Sequence, residues 1–109
     1  MKINCQCGER IVDSTDYLPH KAHFVSDQDF FPFMDAIDDE VIDRVATGQL
    51  SKDDACMAAR NAYLSRTRTM WQCNACGRLY VDDNDRKLHC FVPDSAETDK
   101  QILRSNKNA

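Results

Sequence analysis

No stretch of the 109-residue chain approaches the roughly 18 to 20 consecutive apolar residues that cross a bilayer. That excludes a helical membrane span. The start, Met1-Lys2-Ile3-Asn4-Cys5, has neither the apolar run nor the small-residue cleavage site of a secretory signal. Glycine and proline are scarce, three of each, and there is no Gly-rich phosphate loop, low-complexity tract or repeat of solenoid length. Neither a His-Glu-x-x-His helix nor a His-x-Glu deaminase signature occurs. These absences predict a cytoplasmic, non-enzymatic chain whose thiols stay reduced.

The composition is that of a globular protein, with 42% hydrophobic and 29% charged residues. The length suits one domain, expected over residues 1–93 and followed by a polar tail over 94–109. Ile102 and Leu103 are the tail's means of docking a last helical turn.

Six cysteines in a reducing compartment need a reason other than three disulfides. Four of them form two tight pairs, Cys5-Gln6-Cys7-Gly8 and Cys73-Asn74-Ala75-Cys76-Gly77. In such a knuckle both thiolates turn toward one ion, backbone amides point at the sulfurs, and the glycine relieves the turn that follows. Two half-sites supply the four thiolates of a tetrahedral Zn²⁺ with Zn–S near ~2.3 Å. One structural zinc on Cys5, Cys7, Cys73 and Cys76 is therefore expected, with iron as the alternative metal. A redox dithiol at Cys73 and Cys76 is disfavoured, because a strand follows the motif where a thiol-activating site has a helix N-terminus. Cys90 competes for a ligand place through its spacing from Cys76. His89 lacks the second histidine and recognition helix of a Cys-Cys-His-His finger. Cys56 is expected in the core, and His20 and His23 in a loop.

The two pairs resemble the zinc-ribbon or rubredoxin-like family, in which two knuckles at the ends of β-hairpins share one metal. The resemblance covers Lys2 to Asp13 and Trp71 to Val92. Cys5-x-Cys7 is one residue shorter than the family's usual pair, and a long insert separates the knuckles.

Between the knuckles the pattern is helical. Phe30, Met34, Ile37, Val41 and Val45 mark one apolar stripe. Asp27 or Asp29 is placed to cap it, Pro32 falls in its first turn, and Gly48 ends it. A second helix opens at Ser51, runs to about Ser65 and turns Ala55, Cys56, Ala59, Ala62 and Tyr63 inward. The two should form an antiparallel hairpin over about residues 28–66. Flanking segments read as short strands: Lys2 to Asn4, Arg10 to Asp13, Lys21 to Val25, Thr67 to Gln72, Leu79 to Val81 and Leu88 to Val92. The predicted fold is α+β, a small antiparallel zinc-ribbon sheet with the helical hairpin inserted between its knuckles.

Charge is uneven. Nine acids lie between Asp27 and Asp54, opposed only by Arg44 and Lys52, so this part attracts a basic surface and repels nucleic acid. Asp35, Asp38, Asp39 and Asp43 are the candidate partner-binding residues, with Tyr17, Phe31 and Phe33 as candidate aromatic anchors. An acidic small protein of this kind resembles bacterial immunity proteins and antitoxin-like inhibitors, which implies a basic toxin domain as partner. The alternative is nucleic-acid binding by the ribbon, through Arg60, Arg66, Arg68 and Arg78 with Trp71 and Tyr80 stacking on bases. The pI near 5.2 opposes it.

Overall fold

The computed structural model describes residues 1–85 and 87–105, so residues 106–109 of the expected tail lie outside the described residues. The chain is α+β, with two antiparallel sheets and a helical region. It divides into two compact units, Met1–Phe24 joined by the chain from Arg68 onward, and Val25–Thr67.

In the first unit, β1 (Lys2–Asn4) pairs with β2 (Arg10–Val12), Ile3 opposite Ile11. Only these central residues of the two strands are buried, as alternation demands of so short a ribbon. The second sheet runs in the order β3 (Lys21–Phe24), β4 (Arg68–Gln72), β5 (Leu79–Asp82), β6 (Leu88–Phe91). Every neighbouring pair is antiparallel, with Lys21 opposite Trp71, Trp71 opposite Tyr80 and Tyr80 opposite Cys90. Ile3, Ile11, Trp71 and Tyr80 pack with Cys5 and Cys73 into the core of this unit, with Cys76 and Cys90 against it.

Two polar groups tie the unit together, and neither was singled out by pattern. The Asp13 carboxylate, just past β2, accepts from Trp71 Nε1 at 2.9 Å and from Lys21 Nζ at 2.9 Å. Gln72, 1% exposed, donates through Nε2 to the carbonyls of Gly77 and Asp99 and accepts the Ile102 amide at Oε1. The tail is thus docked through a β4 side chain.

Gly77 needs its missing side chain. Its φ is +84°, and a Cβ there would sit 3.1 Å from Pro93 Cγ and 3.4 Å from Lys100 Cγ. Gly77→Ala combines left-handed strain with a clash and is expected to cost about 1–3 kcal/mol, read as a lower urea midpoint. Gly8, at φ +98°, has open space around its Cβ position, so Gly8→Ala should cost less.

In the second unit, α1 (Asp27–Ile37) continues through a π-helical turn, Asp38–Ile42, into the short α2 (Asp43–Ala46). The Asp43 amide donates to the Asp38 carbonyl five residues back. After the Thr47–Ser51 link, α3 (Lys52–Leu64) begins at Ser51, whose Oγ accepts the Asp54 amide at 3.1 Å. The start of α1 differs from expectation. Ser26 occupies the cap position, its carbonyl accepts the Asp29 amide, and its hydroxyl donates to the Asp29 carboxylate at 2.8 Å. Pro32 is the sixth helical residue, so it lies in the second turn and leaves the Gln28 carbonyl without its helical donor.

The expected stripe also shifts. Val41 is buried, but Phe30, Met34 and Val45 are exposed, and Ala36 is buried in their place. A π turn carries one residue more than an α turn, so a strict three-and-four spacing across it does not stay on one face. On α3 the buried side is Ala55 and Ala62, while Cys56 and Tyr63 are exposed. Cys56 is not a core residue: it follows Ala55 by about 100° around the helix, which turns it away from the buried line.

Candidate metal centre

The knuckles are built alike from different loop lengths. In the first, the Cys5 amide donates to the Glu9 carbonyl at 2.9 Å, and Gly8 N–H closes onto the Cys5 carbonyl at 3.0 Å. In the second, the Cys73 amide donates to the Arg78 carbonyl at 2.9 Å, and Gly77 N–H closes onto the Cys73 carbonyl at 2.8 Å. Removing one residue from the first loop leaves the same closure, with the glycine still at positive φ.

These loops bring four sulfurs together. Cys5 Sγ lies 3.5 Å from Cys76 Sγ, and Cys7 Sγ lies 3.6 Å from Cys73 Sγ. All four lie within 4.8 Å of one another. A tetrahedron with arms of ~2.3 Å has edges of about 3.8 Å, whereas a disulfide needs ~2.05 Å. The cluster has the dimensions of a four-sulfur metal site, and these residues could hold a metal ion.

The local electrostatics suit thiolates. Each sulfur receives the backbone amide two residues on, Cys7 to Cys5, Glu9 to Cys7, Ala75 to Cys73 and Arg78 to Cys76. Burial pushes the Cys73 thiol up to about 12, against the Cys76 and Ala75 amides and with the Cys7 and Cys76 sulfurs adding to the rise. Burial also raises Cys76, but the Arg78 amide and guanidinium, with the Cys5 and Cys7 thiols, bring it down to about 6. Packed sulfurs cannot all ionise without a cation among them, so their proton affinities separate. Metal binding would release the remaining protons, which makes affinity fall on acidification.

Cys90, half-buried, stands opposite Tyr80 in β6 and is not among the four clustered sulfurs. Tyr80 is itself buried, with its hydroxyl accepting the Gln6 amide at 3.2 Å. Burial raises its phenol above the ordinary value, and hydrogen bonds to Cys5 and Cys90 raise it further. Tyr80 therefore supports the first knuckle from behind, a role no spacing rule marks. His89 pairs with Asp83 at 2.7 Å, and the His20 ring bonds to the Val12 carbonyl at 2.7 Å. Neither histidine joins the sulfurs.

The acidic candidates lie on the surface. Asp35, Asp38, Asp39 and Asp43 are all exposed on the first helical run. Phe31 and Tyr17 are exposed, whereas Phe33 is half-buried with its ring edge-on to Tyr63 at 6.3 Å. Trp71 and Tyr80 are 5% and 7% exposed, so neither presents a face on which a base could stack. The nucleic-acid alternative loses its aromatic platform. Among the described residues, no helix is long and apolar enough to cross a membrane.

Comparison with protein families matches residues 1–95 to a domain of unknown function, DUF8617. No curated protein and no solved structure matches the chain.

Proposed function

The chain belongs to the DUF8617 family, and from that footing we propose that it is a non-enzymatic, zinc-stabilised protein-binding module. Cys5, Cys7, Cys73 and Cys76 would hold one structural Zn²⁺ in a zinc-ribbon-like arrangement. The observation that carries this reading is the closed set of four sulfurs. Four protein ligands leave no coordination position for water or substrate, as in structural sites and unlike catalytic ones. A cleft of about 390 Å³ in the sheet unit, lined by residues such as Glu9, Arg10, His20 and Gln72, supplies no Ser, Cys or Lys nucleophile.

With chemistry set aside, binding falls to the acidic helical unit. Its exposed carboxylates, Asp35, Asp38, Asp39 and Asp43, would steer a basic protein to it. Within that reading the chain acts as an immunity or antitoxin-like inhibitor of a basic toxin domain in a bacterial cytoplasm.

Native mass spectrometry with elemental analysis tests the metal. One zinc per chain is expected, lost on chelation together with the folded charge-state distribution; a metal-free folded monomer would overturn the assignment. For the partner, inhibition of a basic nuclease toxin encoded beside this chain should weaken at least about tenfold on Asp35→Lys with Asp39→Lys. Unchanged inhibition would remove the acidic surface from the interface.

A further inference from the structure

The buried side chains of the helical unit are small, and several of its large apolar ones are exposed. Its buried residues are Ala36, Val41, Ala55 and Ala62, while Phe30, Phe31, Met34 and Ile42 are 47%, 70%, 47% and 55% exposed. Burial statistics run the other way for Phe, Met and Ile. Phe30 and Met34 lie one turn apart on α1 and therefore share a face. The extra residue of the π turn carries Ile42 back toward the same line eight residues after Met34. The turn thus does two things: it takes Val41 off the Phe30–Met34 line and brings Ile42 onto it.

We propose that this outer face of the first helical run is the docking surface for a basic amphipathic helix of a partner protein. This rests on the reading of the acidic unit as a protein-binding surface and adds the partner's conformation and its anchor points. Charge selects the occupant. Asp35, Asp38, Asp39 and Asp43 stand exposed beside the apolar line, and a second copy of a chain of net charge −4 would set carboxylate against carboxylate. A helix with leucine-like residues at three-and-four spacing fills the Phe30–Met34–Ile42 line, and its lysines or arginines extend over their own stems to the flanking carboxylates. Methionine adapts to irregular apolar knobs, and helix-on-helix layering is the ordinary way to cover such a stripe.

The test uses the full chain and two synthetic peptides of about 18 residues with one Leu/Lys composition. One has leucines at helical spacing and the other is scrambled to destroy the apolar face. Titration calorimetry should show the amphipathic peptide binding at least about tenfold more tightly, with a gain in its helical circular dichroism. Phe30→Ser with Met34→Ser should remove that advantage without altering the fold, because both side chains are already half in solvent. Leu64→Ser, exposed on α3, should leave binding unchanged. Equal binding of both peptides would overturn helix docking while sparing the charge-based reading. Binding of neither would remove both. A dimer in sedimentation velocity that the Phe30→Ser, Met34→Ser chain loses would assign the face to a second copy and overturn the proposal.

Discussion

Replacing Cys73 by serine is expected to unfold the sheet unit at ordinary temperature, while Cys56→Ser leaves the thermal midpoint within about 2 °C of the parent. Cys73 has no exposed surface, and its sulfur faces Cys7 across 66 residues of chain. Cys5 meets Cys76 across 71. A cross-link of that reach restricts the unfolded chain by about 4 kcal/mol on the chain-entropy account. A structural metal adds its own bond energy, because binding and folding are one equilibrium in such sites. At about 4–8 °C per kcal/mol for a unit of this size, losing the clamp lowers the midpoint by more than about 15 °C. Chelation of the parent chain should have the same effect as Cys73→Ser and none on the Cys73→Ser chain itself. If Cys73→Ser, Cys5→Ser and Cys56→Ser all melt together, the four-sulfur clamp is not what holds the unit.

The second large effect is expected at Asp13. Its carboxylate is 13% exposed and is shared by Trp71 Nε1 and Lys21 Nζ, so one group joins the end of β2 to β3 and β4. Asp13→Ala leaves an indole N–H and an ammonium without their acceptor in a partly dry place. Hydrogen bonds to charged groups contribute about 1.5–3 kcal/mol, and stranding both partners should cost about 2–4 kcal/mol. Burial raises the Asp13 carboxyl, but hydrogen bonds from Lys21 and Trp71, with the charges of Lys21 and the N-terminus, hold it below its ordinary value. The folded chain thus gives up the Asp13 charge less readily than the unfolded chain. Its contribution is complete above the unfolded carboxylate value near ~3.9 and disappears as pH falls through the lower folded value. Urea midpoints measured from pH 6 down to pH 3 should therefore converge for the parent and Asp13→Asn chains. A constant gap across that range would show that the carboxylate's charge is not what stabilises the unit.

How much of this was legible in the residues alone depends on the range of the forces involved. Strand positions and the Ser51 cap follow from local rules: alternation on a ribbon, and a hydroxyl meeting an orphan amide. The knuckles were legible for the same reason, since Cys-x-Cys-Gly and Cys-x2-Cys-Gly each encode a closed turn within five residues. That the two turns would meet was a matter of chemistry, because two such turns together supply the four thiols that one tetrahedral metal ion takes.

What the local rules missed was set at longer range. The π turn at Asp38–Ile42 is one extra residue in an otherwise regular helix, and spacing alone cannot detect it. It shifts Val41 out of phase with Phe30 and Met34, so the expected stripe divides between a buried Val41 and an exposed Phe30 and Met34. Cys56 was misplaced by a single helical step. Asp13, Gln72 and Tyr80 carry no motif. Each acquires its role only when strands far apart in sequence bring a donor or acceptor to it: Trp71 for Asp13, the Ile102 amide for Gln72 and the first knuckle for Tyr80. By itself the sequence determined the four thiols, the strand and helix alternation and the acidic middle, because each is written within a few residues. The tertiary structure decided which sulfurs are neighbours, which apolar residues remain outside and which polar groups join the sheets. Those outcomes depend on competition for burial among the whole set of elements, and no short segment contains that information.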